Sequence, residues 1–164
     1  MGTKSGTFAI GLFLSALVAA PVFAEKVGSV VTTRNILTPN NTIDIEVFDD
    51  PKVPGSACYL SRAVKGGAAS MVGMQEDTSD ASIACRQIGP ISDEVIRKLR
   101  SGSISQGEEV FKIDTSLLFK TMQVVRNYDP NRNVLTYLVY SDKLIDGSPK
   151  NSLSVVPIMP WPKR

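Results

Sequence analysis

Thr42-Ile43-Asp44-Ile45-Glu46-Val47 alternates apolar and polar residues without a break, which is the period of an extended strand and not of a helix. It places Ile43, Ile45 and Val47 on one face of a half-buried strand. Asp49-Asp50-Pro51 and Pro54-Gly55 then end the pattern with turn residues. Working outward, residues 57–64 form a second strand carrying Cys58, Tyr59 and Leu60, and residues 81–88 a third around Cys85. Gly66-Gly67 through Gly73 reads as a small-residue loop between those two strands.

One segment has helical punctuation. Ser92 can cap, Asp93 and Glu94 sit in the first turn, Arg97, Lys98 and Arg100 in the last, and Gly102 follows as a stop. The expected helix runs over about 92–100, with Val95, Ile96 and Leu99 as its apolar stripe, and is short enough to depend on packing. Further on, residues 117–128 and 134–140 read as a hairpin around Asp129-Pro130-Asn131-Arg132-Asn133. Residues 134–140 are apolar on both faces, which predicts a central strand. The 117–128 segment also fits a helical face through Leu117, Leu118, Thr121, Met122, Val125 and Tyr128, but its β-branched content favours a strand. A last strand is expected over 153–158, followed by Trp161 as an aromatic anchor for the C-terminal end.

The first 24 residues have the form of a cleaved signal peptide: Lys4, an apolar run over 8–20, then Pro21-Val22-Phe23-Ala24. Cleavage after Ala24 leaves 140 of the 164 residues as one domain, 25–164, with nothing further expected to anchor it in a membrane. Export makes the two cysteines legible. Cys58 and Cys85 allow one intramolecular bridge, and in an oxidising compartment a structural disulfide is preferred to a redox pair or an intermolecular bond.

The chain has 18 Lys+Arg against 16 Asp+Glu, and no histidine. Interspersed charge of this balance carries no footprint for nucleic acid. The missing histidine rules out Ser-His-Asp and Cys-His catalysis and HExxH zinc sites. Two candidate sites remain. Glu76, Asp77 and Asp80 supply three carboxylates in five residues, a possible oxygen-ligand site for Ca²⁺ or Mg²⁺, without EF-hand spacing. An acidic turn is the plainer reading of that stretch. Ser141, Asp142, Lys143, Ser148 and Lys150 gather within 141–152, where a histidine-free Ser/Lys hydrolase would have to be built, although no S-x-x-K occurs in the chain. Lys65-Gly66-Gly67 lacks the order of a phosphate-binding loop.

Several blocks, taken in order, resemble the CreA family of bacterial envelope proteins. They include Phe48-Asp49-Asp50-Pro51, Cys58-Tyr59-Leu60-Ser61-Arg62-Ala63, Glu76-Asp77-Thr78-Ser79-Asp80-Ala81, Gln106-Gly107-Glu108 and Gln123-Val124-Val125-Arg126. Tyr140-Ser141-Asp142-Lys143, Gly147-Ser148-Pro149-Lys150-Asn151 and Val156-Pro157-Ile158-Met159-Pro160-Trp161 complete the match. The resemblance implies a small periplasmic protein of Gram-negative bacteria with a leader and a cysteine pair at these positions. It brings no reaction, cofactor or catalytic residue with it.

The expectation is therefore a mainly β domain, a sandwich or partly open barrel with one short helix, stapled by Cys58–Cys85, with an α+β layering as the alternative. The leading function is non-catalytic binding of a ligand or an envelope protein. Hydrolysis at 141–152 and cation binding at 76–80 are the alternatives.

Overall fold

The computed structural model describes residues 24–67, 81–116, 120–145 and 148–162. Glu76, Asp77 and Asp80, the residues 68–73 of the glycine loop, and Leu117–Leu118 lie outside them. Among the described residues, eight strands form two antiparallel four-stranded sheets. The first is β1 (Glu25–Thr33), β2 (Asn41–Asp49), β3 (Ser56–Val64) and β4 (Ala81–Gln87). The helix α1 (Asp93–Arg100) leads to the second sheet, β5 (Glu108–Ser116), β6 (Lys120–Asp129), β7 (Val134–Ile145) and β8 (Ser148–Pro157). Within each sheet, spatial order equals chain order, so both are meanders.

The strand reading of 120–128 prevails over the helical one, and β7 is central, between β6 and β8. Its outward residues Thr136, Leu138 and Tyr140 are half-buried. Strands β1 and β5 escape the sequence reading, because neither shows an unbroken alternation. Each is an edge strand broken by two register shifts. The final strand starts earlier than expected: Ser148 and Pro149 pair with Ile145 and Leu144 as part of β8, not as a turn.

The alternation over 42–47 holds, but the buried side is the polar one. Ile43 and Ile45 are 40% and 36% exposed, whereas Asp44 is 7% exposed and Phe48 is buried. The reason is ionic. Asp44 meets Lys26, Ser29 and Thr42 on the inner face, and Glu46 receives Arg62 from β3 at 2.9 Å. Satisfied in this way, the polar residues can turn inward.

The core lies between the sheets and is drawn from both. Phe48, Leu60 and Ile83 of the first meet Phe111, Val124, Leu135 and Val139 of the second. The Phe48 and Phe111 rings stack with centroids 4.3 Å apart. Helix α1 adds Leu99 to the same core. Ser92 caps it by accepting from the Val95 N–H at 3.3 Å. Among the described residues, no helix is long and apolar enough to cross a membrane.

The sheets meet at β4 and β8 through side chains. The Cys85 N–H donates to Ser154 Oγ at 2.8 Å, and the Gln87 amide brackets the Met159 backbone at 2.9 and 3.1 Å. Since no backbone ladder joins β4 to β8, the barrel is not closed. Gln87 and Asn133 also hold the C-terminal end, Asn133 through both backbone groups of Ile158. Trp161, 42% exposed, does not serve as the anchor.

The Cys58–Cys85 disulfide is formed between residues directly opposite on β3 and β4. The turn before β3 depends on Gly55, whose φ is +96° and whose carbonyl accepts from the Ile88 and Gly89 N–H groups. A Cβ there would stand 2.8 Å from the Pro90 carbonyl oxygen. Gly55→Ala should therefore lower stability by at least about 1–2 kcal/mol, read as a shift of the urea midpoint at unchanged slope.

Candidate functional site

The densest polar constellation lies inside the core. Period two carries Met122, Val124, Arg126 and Tyr128 to the inner face of β6, so Arg126 occupies a core position in an otherwise apolar register. Pairing sets Glu108 opposite Arg126, Arg126 opposite Tyr137, and Tyr137 opposite Ser154. A polar row thus crosses the whole second sheet.

The first sheet answers with Asp50 and Ser56. Asp50 follows β2, in a turn closed by its own N–H donating to the Ser56 carbonyl at 3.0 Å. Its Oδ1 accepts from the backbone N–H groups of Lys52 and Val53 at 2.9 and 3.1 Å. Arg126 Nη1 donates to both Asp50 oxygens at 2.8 and 2.7 Å, and Nη2 to Glu108 Oε2 at 2.5 Å. The Tyr137 hydroxyl lies 2.9 Å from both Asp50 Oδ2 and Ser56 Oγ. Lys52 pairs with Glu108 at the rim. Two acids and two bases balance.

Arg126 and Tyr137 have no exposed surface, Asp50 is 2% exposed and Ser56 1%. Burial, reinforced by the Asp50 charge, pushes the Tyr137 phenol far above its ordinary value, so it stays protonated. Asp50 already accepts from three residues besides Arg126 and is itself buried. The arrangement ties the two sheets together, and it offers neither a proton acceptor nor a nucleophile to a substrate.

A second polar group sits further along the inner face of the first sheet. Asp44 Oδ2 accepts from Lys26 Nζ at 2.7 Å, and Oδ1 from Ser29 and Thr42 at 2.6 and 2.9 Å. Burial raises its carboxyl, but these bonds, that of Lys26 first, outweigh it and hold the group below the usual carboxylate value. A depressed folded value stabilises the protein above the unfolded value of about 4. That contribution is lost as pH falls through the folded value. Asp44→Asn should therefore lose less stability than the parent between pH 6 and pH 2.5, read by urea denaturation at each pH.

The sequence candidates are dispersed. Ser141 is buried on the inner face of β7, opposite Met122. Asp142, exposed on the other face, accepts from the Thr121 N–H at 2.9 Å and hydroxyl at 2.5 Å, which hold its carboxyl below the ordinary value. Lys150 is exposed on β8. Lys143 and Ser148 belong to β7 and β8, and their side chains lie outside the described residues. Among the described residues, no group of three His, Cys, Asp or Glu side chains could hold a metal ion. Reading the sequence missed Asp50 and Arg126. The available signal was a charged residue in the apolar parity of 122–128.

Comparison with known proteins agrees on a relationship. Residues 27–161 match the family described as CreA protein. The chain is 51% identical over 151 residues to Protein CreA of Escherichia coli strain K12, covering 92% of this chain and 94% of that protein. Protein CreA of E. coli O6:H1 and of E. coli O157:H7 match to the same extent. No solved structure matches the chain.

Proposed function

Because the chain belongs to the CreA family, we propose that it is an exported, periplasmic protein that acts by non-catalytic binding of a ligand or envelope partner. One observation carries this reading: the Asp50–Arg126–Tyr137 constellation is sealed and its acceptors are occupied, so it serves cohesion and not turnover. The absence of histidine from the chain supports the same view. Export is supported by the leader pattern over 1–24 and by the pairing of both cysteines.

Osmotic-shock fractionation tests the location. The released protein should begin at Glu25 and weigh two hydrogens less than its reduced form; retention in the cytoplasm with the leader attached would refute export. The function is tested by incubating the purified protein with ester, amide and phosphate substrates. No turnover is expected. Hydrolysis that disappears in Ser148→Ala or Lys150→Ala would replace the binding reading with the Ser/Lys hydrolase. A melting-temperature rise specific to Ca²⁺ or Mg²⁺, lost when Glu76, Asp77 and Asp80 become amides, would identify the ligand as a divalent cation.

A further inference from the structure

The connection between β1 and β2, residues 34–40, is braced and yet ends in bare aliphatic side chains. The Asn35 N–H donates to Asn40 Oδ1 at 2.8 Å, and the Asn35 side-chain amide donates to the Pro39 carbonyl at 2.7 Å. The residues just after β3 support the loop from beside. The Gly67 N–H donates to the same Pro39 carbonyl and the Gly66 N–H to Asn41 Oδ1, each at 2.8 Å. Only glycine fits at 66, because a Cβ there would collide with the Pro39 carbonyl oxygen. On this frame Ile36 is 98% exposed and Leu37 90%. Exposed aliphatic residues scattered singly are ordinary, but an adjacent pair held clear of the body by a braced loop is not.

The apolar surface continues down both sides of the hairpin. Val30 pairs with Ile43 and shares its outer face, whereas Val31 pairs with Thr42 and shares the inner face. Val30 is nevertheless 59% exposed and Val31 46%, so the second sheet does not cover this end of β1. Charge at the tip has one sign. Among the described residues of the two adjacent connections, 34–40 and 65–67, the only charged ones are Arg34 and Lys65, and both are exposed.

We propose that the β1–β2 hairpin docks the protein on an anionic bilayer. Ile36 and Leu37 enter the boundary between headgroups and acyl chains, and Arg34 and Lys65 remain among the lipid phosphates. Cations flanking an apolar tip match a surface that is negative outside and apolar beneath. The shape points the same way. A convex tip with apolar residues on both its faces needs surroundings that enclose it, and a fluid bilayer does so without a matching pocket.

Size separates a bilayer from a second copy of the chain. Two aliphatic side chains present roughly 200 Å² of apolar surface, well short of the ~800 Å² that each partner buries in a standard protein interface. Lipid insertion has no such threshold, because affinity grows with each buried side chain and each nearby cation. Bracing also removes most of the ordering cost of insertion, since the loop already holds its shape. This inference names the partner of the binding protein proposed above, and rests on that reading for where the bilayer is met. The two fail separately: fractionation decides export, and vesicles decide the hairpin.

Co-sedimentation with vesicles provides the test. It uses residues 25–164, which carry every described strand, because the apolar run over 8–20 would bind lipid by itself. The protein should pellet with vesicles of equal parts phosphatidylglycerol and phosphatidylcholine, and less with phosphatidylcholine alone. Ile36→Asp combined with Leu37→Asp should lower the partition coefficient at least about tenfold. Its melting curve should not change, because both side chains are almost fully exposed. Arg34→Glu should weaken binding to the anionic vesicles, and Ile36→Trp should strengthen it with a blue shift of emission. A parent protein that stays in the supernatant with anionic vesicles overturns the proposal. So does a doubly substituted protein that pellets as well as the parent, which would mean adsorption by charge alone. A parent that ignores vesicles but doubles in mass with concentration, and loses this in the double variant, would assign the tip to a second copy and likewise overturn it.

Discussion

Arg126→Leu is expected to cost about 3–5 kcal/mol of folding stability, the loss seen when one partner of a buried ion pair is removed. The cause is less the missing attraction than what is left behind. Asp50, 2% exposed, would keep its two backbone donors and the Tyr137 hydroxyl but would have no cation beside it. Glu108 would retain Lys52 at the rim, so its share of the penalty is smaller. Replacing both partners separates these effects. Asp50→Asn combined with Arg126→Leu should recover a large part of the loss, giving a strongly non-additive double-mutant cycle. Urea denaturation of the four proteins at pH 7 measures it. Additive losses would mean that Arg126 contributes chiefly by filling space. Tyr137→Phe should show a smaller loss of about 1–2 kcal/mol, since the carboxylate retains its other donors.

Removing the disulfide by Cys58→Ala with Cys85→Ala should lower stability by about 3.5 kcal/mol, for a closed loop with a sequence separation of 27. At roughly 3 °C per kcal/mol for a domain of this size, the melting temperature falls by about 10 °C. The pair joins neighbouring strands already in register, so the ladder between β3 and β4 persists without it. The same shift should follow from adding a strong reductant to the parent protein, and no further shift should occur in the double variant. A reductant effect that survives the double substitution would show that the loss does not come from this bond.

The fold was largely legible where residues declare a period or a stop. The alternation over 42–47, the cap at Ser92 and the turn at 129–133 each correspond to an observed element. The edge strands β1 and β5 were not, because their register shifts break the alternation on which recognition depends. The interior polar row was not legible for another reason. Arg126 and Asp50 are 76 residues apart, and nothing local distinguishes an arginine that will be paired in the core from one on a solvated face. Period two assigns its face only once the strand is known. The inward turn of Asp44 has the same origin, since its partner Lys26 sits on a strand that the sequence did not reveal.

The side-chain seam between β4 and β8 bears on how the chain assembles. Every ladder among the described residues pairs strands that follow one another along the chain, so each half can organise from contacts made among its own neighbours. What joins the halves is the apolar core they share and, inside it, one chemically demanding contact: Arg126 must shed its water while Asp50, delivered by the other sheet, arrives to receive it. The two meanders are thus units coupled through one shared core with an ion pair inside it. Native-state hydrogen exchange would report its weakest line at 85–87 and 154–159, where the two units touch without sharing a backbone bond.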